Sequence, residues 1–283
     1  MTKNKIVFTF ATSEVNFISQ LFIKITELCT GKLKLKKLYD EYLSENRPPE
    51  LFWDDAVDKL NLTLITNFQD GSYIPKKGRL IVIANHAFGV ADGVSICSAI
   101  SKVRQDYKMV THKVLRQAEA VKDKILPIDF NETREALLTN ISTRKEAEKV
   151  LHNEGVLVLF PSGTIATKHN LKKNTKADDG DWKQWVSKLI LKTKSPVLPI
   201  FFDGQNSQLY HIANKIGQTF RYSLCMYELR RKIGDDIYMY FGSLIPYENL
   251  ERIGDIKQIT QYLRSTCLLY TSDAADEGGS GDL

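Results

Sequence analysis

The chain reads as an α/β protein: a mostly parallel central sheet covered by helices, preceded by an N-terminal helical hairpin. Three observations predict it. Strand-length apolar runs recur at residues 80–84, 155–160, 196–202 and 237–241, each closed by a turn. The runs are nearly continuous rather than alternating, which suits strands buried on both faces. Helical patterns separate them, the alternation that places helices on both sides of a parallel sheet.

In chain order, residues 13–29 (SEVNFISQLFIKITELC) form an amphipathic helical pattern with Ser13 at the N-cap and Gly31 past the end. A second helix is expected over 33–43, stopped by Arg47-Pro48-Pro49. A short helix at 51–60 leads to a strand at 62–68, and Asp70-Gly71 and residues 75–78 mark turns before the run at 80–84. Helices are expected at 93–101, at 132–152 with Asn131 as cap, and at 182–192. The chain divides into a helical region, 1–61, and an α/β domain, 62–266.

The chemistry concentrates at residues 80–92, LIVIANHAFGVAD. His86 follows a buried strand, and Asp92 stands six residues on, where a carboxylate can fix the imidazole tautomer and stabilise its charged form. No G-x-S-x-G surrounds the pair and no cysteine lies beside it, so the proton it removes can belong to a substrate hydroxyl. A histidine and an aspartate at this spacing also serve structure, capping the following helix or bonding backbone.

Three further segments follow in order: GVLVLFPSGT at 155–164, PVLPIFFDGQNS at 196–207 and IYMYFGSLIP at 237–246. With NH-x5-D, this order resembles the glycerolipid acyltransferase superfamily, over about residues 33–264. The third motif, F-P-E-G-T-R-S in the family, is here Phe160-Pro161-Ser162-Gly163-Thr164-Ile165-Ala166, and the first is H-x5-D rather than H-x4-D. The missing glutamate and arginine are the residues associated with a glycerol-phosphate acceptor in the common members. The wording NH-x-F-G-x-x-D-G, VRQDYK at 103–108 and DGQNS at 203–207 resemble the hemolysin-like branch, which includes lyso-ornithine-lipid acyltransferases. The resemblance implies O-acyl transfer from acyl-CoA or acyl carrier protein to a lysolipid hydroxyl, with an acceptor that need not carry glycerol phosphate.

In that reading His86 is the general base and Asp92 orients it, as in a triad whose nucleophile is the substrate. Gly89 can supply the unusual dihedrals that the longer spacer asks for. Asn85 caps the loop or bonds substrate. Phe160, Pro161, Ser162, Gly163 and Thr164 line the substrate site, with amides near Gly163 facing a developing oxyanion. The competing reading of that segment is a plain turn with Thr164 as a helix N-cap. Pro199, at the start of the third strand, joins the substrate-binding set. Arg116 is a candidate for an anionic acceptor, as are Lys168, Lys172 and Lys173 by position, with Arg134 behind them; such charge runs are usually solvated.

No histidine pair or Cys spacing suggests a metal, no Gly-rich signature suggests a nucleotide, and no cofactor is expected beyond the acyl thioester as co-substrate. The scattered Cys29, Cys97, Cys225 and Cys267 read as reduced structural thiols. No apolar run approaches the ~20 residues of a spanning helix. A net charge of +5 and the lysines 32, 34, 36 and 37 beside the amphipathic helix suit an anionic membrane surface. The same helix can instead pack on its own domain. Nucleic acid is not expected as a partner, for lack of a recognition motif. The expected location is peripheral, at the cytoplasmic face of the inner membrane.

Residues 267–277, CLLYTSDAADE, resemble an in-frame translation of a transposase sequencing adapter. Residues 267–283 are therefore read as a non-native, disordered tail, to be left out of fold arguments. Two other functions compete with acyl transfer: a non-catalytic lipid-binding relative, and a lipase using Ser162, which lacks a nucleophile elbow.

Overall fold

The computed structural model describes residues 31–67, 73–172 and 174–269, with Leu21, Ile23, Lys24 and Thr26 ahead of them. Most of the expected helix at 13–29 lies outside the described residues, as do Cys29 and Lys173. Seven strands form one sheet: β1 (Thr63–Thr66), β2 (Leu80–Ala84), β3 (Tyr107–His112), β4 (Ile125–Ile128), β5 (Val156–Leu159), β6 (Val197–Asp203) and β7 (Asp236–Phe241). Their order is β1-β7-β6-β2-β5-β3-β4, and every pairing is parallel except β6 with β7. The sheet is mostly parallel, as the continuous apolar runs predict.

Burial explains those runs. Leu80, Val82 and Ala84 of β2 enter one core cluster, while Ile81 and Ile83 enter a second on the opposite face. A strand covered on both sides has no solvent face to mark with polar residues. The first face is covered by α2 (Phe52–Lys59) and α3 (Val90–Ser101), through Trp53, Val57, Ile96 and Ile100. The second is covered by α4 (Arg134–His152), α5 (Trp185–Thr193), α9 (Tyr247–Ile253) and α10 (Ile256–Leu269). Between β6 and β7 run α6 (Gln208–Ile216), α7 (Gln218–Ser223) and α8 (Cys225–Arg231).

The second hairpin helix is α1 (Lys32–Ser44); Leu35, Leu38 and Tyr39 pack against the first core cluster. Trp53 and Val57 belong to that same cluster, so packing is continuous across residue 61. Lys36 and Lys37 of the lysine cluster pair locally with Asp40 and Glu41.

Several boundaries move for physical reasons. The helix expected at 132–152 starts at Arg134, capped by Thr133, whose Oγ1 accepts the Ala136 N–H at 3.1 Å. Asn131 is not the cap, because its amide side chain donates to Asp129 Oδ1 at 2.5 Å. Trp182 precedes α5, its indole N–H donating to Asp179 Oδ2 at 3.1 Å. At the other end, α10 crosses the boundary at residue 266. Cys267 is fully buried and its thiol donates to Ile200 O at 3.0 Å, so the packed body includes Cys267 and the helix runs on to Leu269. Residues 270–283 lie outside the described residues.

Two residues of the family-like motifs are structural. Arg104, in VRQDYK, is buried; its guanidinium donates to the carbonyls of Pro75, Gly78 and Glu154 and pairs with Asp106 at 2.6 Å. Asn85 stitches the sheet just beyond β2: its Nδ2 donates to Phe202 O at 2.9 Å and its Oδ1 accepts Phe202 N–H at 2.7 Å. Removing that side chain strands two backbone groups in the interior, each costing about 1–3 kcal/mol. Asn85→Ala should therefore lower unfolding free energy in urea by about 2–6 kcal/mol; a loss below about 0.5 kcal/mol would contradict the assignment.

Candidate active site

β2 and β5 are neighbours and run parallel, so the loops leaving their carboxyl ends emerge on the same edge of the sheet. His86 stands on the first loop and Phe160-Pro161-Ser162-Gly163-Thr164 on the second. The His86 and Phe160 rings consequently stack, with centroids 4.2 Å apart and planes 22° apart. The two loops are also joined through backbone, Ala166 N–H donating to His86 O at 2.7 Å.

His86 Nδ1 lies 2.9 Å from Asp92 Oδ2. The same oxygen accepts the backbone N–H groups of Phe88 and Gly89, both at 2.9 Å, and Asp92 is fully buried in the first turn of α3. An oxygen that already accepts two N–H groups acts as an acceptor, so the imidazole proton resides on Nδ1 and the lone pair on Nε2. A carboxylate at a helix N-terminus also meets the positive end of the helix dipole. Gly89 takes φ +85°, and an ideal Cβ there would sit 2.7 Å from Ile165 Cδ1. The positive φ favours glycine here, and Ile165 of the second loop packs into the space that a side chain would take.

His86 opens onto a cavity of about 670 Å³ that Phe160, Pro161, Ser162, Gly163 and Thr164 also line. Its deep wall is apolar, built from α1, α2 and α3 side chains such as Leu38, Trp53 and Val94 together with Met109. Among the cations that line it are Arg144, Lys183 and Arg221, none of which stands in a recognisable motif. Lys183 is tied to the second loop by its backbone N–H, which donates to Pro161 O at 2.9 Å. Only the fold brings these three to the cavity.

Ser162 is buried, its hydroxyl donating to Thr164 O at 2.9 Å. A serine whose proton is spent on a backbone carbonyl is not set up as a nucleophile. Gly163 N–H closes the turn on Phe160 O at 3.0 Å, so it is not an oxyanion donor. The amides of Ser162 and Ile165 have no protein acceptor among the described residues. Thr164 caps no helix, since the next helix begins at Trp185; its Oγ1 reaches Asp179 O at 3.5 Å. Burial raises the Asp179 carboxyl above its ordinary range despite the indole N–H of Trp182.

Other expected site residues lie elsewhere. Asn85 is committed to Phe202 and does not line the cavity. Pro199 is buried inside β6, opposite Ile83, where it fills sheet interior rather than contacting a ligand space. Arg116 is exposed in the 3-10 turn Lys113–Gln117 and does not line the cavity; the same holds for Arg134 and Lys172. Lys168 is buried close to His211, whose protonation is opposed first by burial and then by the Lys168 charge. The described cysteines are buried and free, and burial pushes the Cys267 thiol up to about 12. No helix among the described residues is long and apolar enough to cross a membrane.

A family profile described as acyltransferase matches residues 65–203. The chain is 22% identical over 234 residues to a lyso-glycine lipid O-acyltransferase of Bacteroides thetaiotaomicron, covering 76% of this chain and 82% of that protein. A lyso-glycine lipid O-acyltransferase of Phocaeicola vulgatus is 19% identical over 198 residues, 68% of each chain. Among solved structures, the 1-acyl-sn-glycerophosphate acyltransferase PlsC of Thermotoga maritima aligns over 94% of this chain and 90% of its own, with a TM-score of 0.49 and 14% identity. The matched profile runs from β1 through β6 and so contains both loops that carry the His86–Asp92 pair and the Phe160–Thr164 turn: these residues form an acyltransferase domain, and the chain is an acyltransferase.

Proposed function

We propose that the chain moves a fatty acyl group from an acyl thioester, acyl-CoA or acyl carrier protein, to the hydroxyl of a lysolipid, with His86 as general base. The observation that carries this reading is the Nδ1–Asp92 contact of 2.9 Å, which leaves Nε2 as the proton acceptor on a cavity-lining imidazole. The acceptor hydroxyl gives its proton to Nε2 as its oxygen attacks the thioester carbonyl. The resulting oxyanion is offered the Ser162 and Ile165 amides, each such donor worth roughly 10²–10³ in rate. On collapse the C–S bond breaks and the imidazolium returns the proton to the departing thiolate, while Asp92 holds the ring throughout. The apolar wall of the cavity takes a fatty chain.

The acceptor is a lyso-aminolipid of the glycine-lipid kind rather than lysophosphatidate. Two relatives carry that activity in their names, and this chain has Ser162 and Ile165 where glycerol-phosphate enzymes have glutamate and arginine. Ile165 presents an apolar side chain to the cavity and packs toward Gly89.

Acceptor-dependent release of free thiol is the assay. His86→Ala should lose about 10²–10⁴ in kcat with an unchanged melting temperature; full turnover in a folded variant would sink the mechanism. Ser162→Ala separates acyl transfer from a serine hydrolase. It should retain turnover within about tenfold, whereas loss of a nucleophile costs far more.

A further inference from the structure

The first half of α4 is apolar on two opposite sides. Ala136, Thr143 and Ala147 face the body and are buried. Leu137, Leu138 and Ile141 face outward at 60%, 57% and 40% exposure. At about 100° per residue these three fall on one stripe with Arg134 and Lys145, both exposed, at its ends. Glu135 falls about a quarter-turn away. Such an outward apolar stripe is unusual for a helix that already buries its other side, and patches of this kind mark an interaction surface.

The stripe is continuous with the cavity mouth. Phe130, in the loop before α4, is itself 47% exposed, lines the cavity, and approaches to 3.8 Å of where a Gly163 Cβ would stand. Arg144, one turn beyond Ile141, is exposed and lines the same cavity. A membrane lipid leaving this face would therefore meet the loop that stacks on His86.

We propose that this face of α4, with Phe130, seats the enzyme on an anionic lipid bilayer, laying Leu137, Leu138 and Ile141 into the headgroup boundary. Arg134, Arg144 and Lys145 then meet lipid phosphates, the arrangement of an apolar helix face ringed by cations that binds membrane interfaces. The docking site is thus next to the cavity mouth. The inference rests on the lipid-acyl-transfer reading and gives that reaction its route to an insoluble acceptor.

The test is cosedimentation of the full chain with phosphatidylethanolamine–phosphatidylglycerol vesicles and with phosphatidylcholine vesicles. The wild type should bind the anionic vesicles, less so as salt rises. Leu137→Gln/Leu138→Gln/Ile141→Gln should bind about tenfold more weakly at an unchanged melting temperature. Arg134→Gln/Lys145→Gln should lose chiefly the salt-sensitive part. Turnover of the triple variant should hold on acceptor in detergent micelles and fall on acceptor in bilayers. Vesicle binding equal to wild type would overturn the proposal. A dimer that becomes monomeric with binding unchanged would do the same, since the face would then cover a second copy. So would a lowered melting temperature, which would mean that the chain itself covers the stripe. Absence of acyl transfer by the wild type in micelles would count against the proposed function and leave the docking result standing.

Discussion

One carboxylate oxygen organises this site. Asp92 Oδ2 gathers His86 Nδ1, Phe88 N–H and Gly89 N–H, each at 2.9 Å. The two amides hold the loop in the shape that reaches α3, and the imidazole contact fixes which nitrogen carries the lone pair. Because all three bonds share one acceptor, the loop, the helix start and the base are set together. The second loop then closes on this unit by a ring stack and a backbone hydrogen bond to His86. Under the proposed mechanism, such preorganisation removes the reorganisation that an unrestrained base would need at the moment of proton transfer.

The departures from the usual family wording are physically coupled. A longer His–Asp spacer is accommodated by Gly89 at positive φ, and the space where Gly89 lacks a side chain is occupied by Ile165 from the other loop. Restoring an arginine at 165 alone would disturb that contact. Positive charge at the cavity comes instead from residues outside this loop, among them Arg144 on α4, Arg221 on α7 and Lys183 just ahead of α5.

Much of this was legible in the sequence because it depends on local order. The doubly covered sheet shows in continuous apolar runs, and the two site loops show as motifs directly after strands. Asn85 and Pro199 hold structural positions that local order does not show. Each stands within a motif, yet Asn85's partner, Phe202, stands 117 positions away across the sheet, and Pro199 fills the interior of its own strand. Arg116 drew attention by charge alone, while Arg144 sits unmarked in a charged helix and reaches the cavity only after folding. β3 and β4, and the helices between β6 and β7, carry no distinctive signal because their patterns are short and mixed. The boundary at 266, set by the adapter-like wording of 267–277, is crossed by the helix, which carries Cys267 into the core.

The tautomer of His86 is the most direct test of this account. ¹⁵N spectra of the folded protein, with His86 assigned by comparison with His86→Gln, distinguish the two ring nitrogens in the neutral imidazole. The account predicts a protonated Nδ1 and an unprotonated Nε2, and loss of that preference in Asp92→Asn. An Nε2-protonated ring in the wild type would contradict it, because the nitrogen on the substrate side would then have no lone pair with which to take the hydroxyl proton.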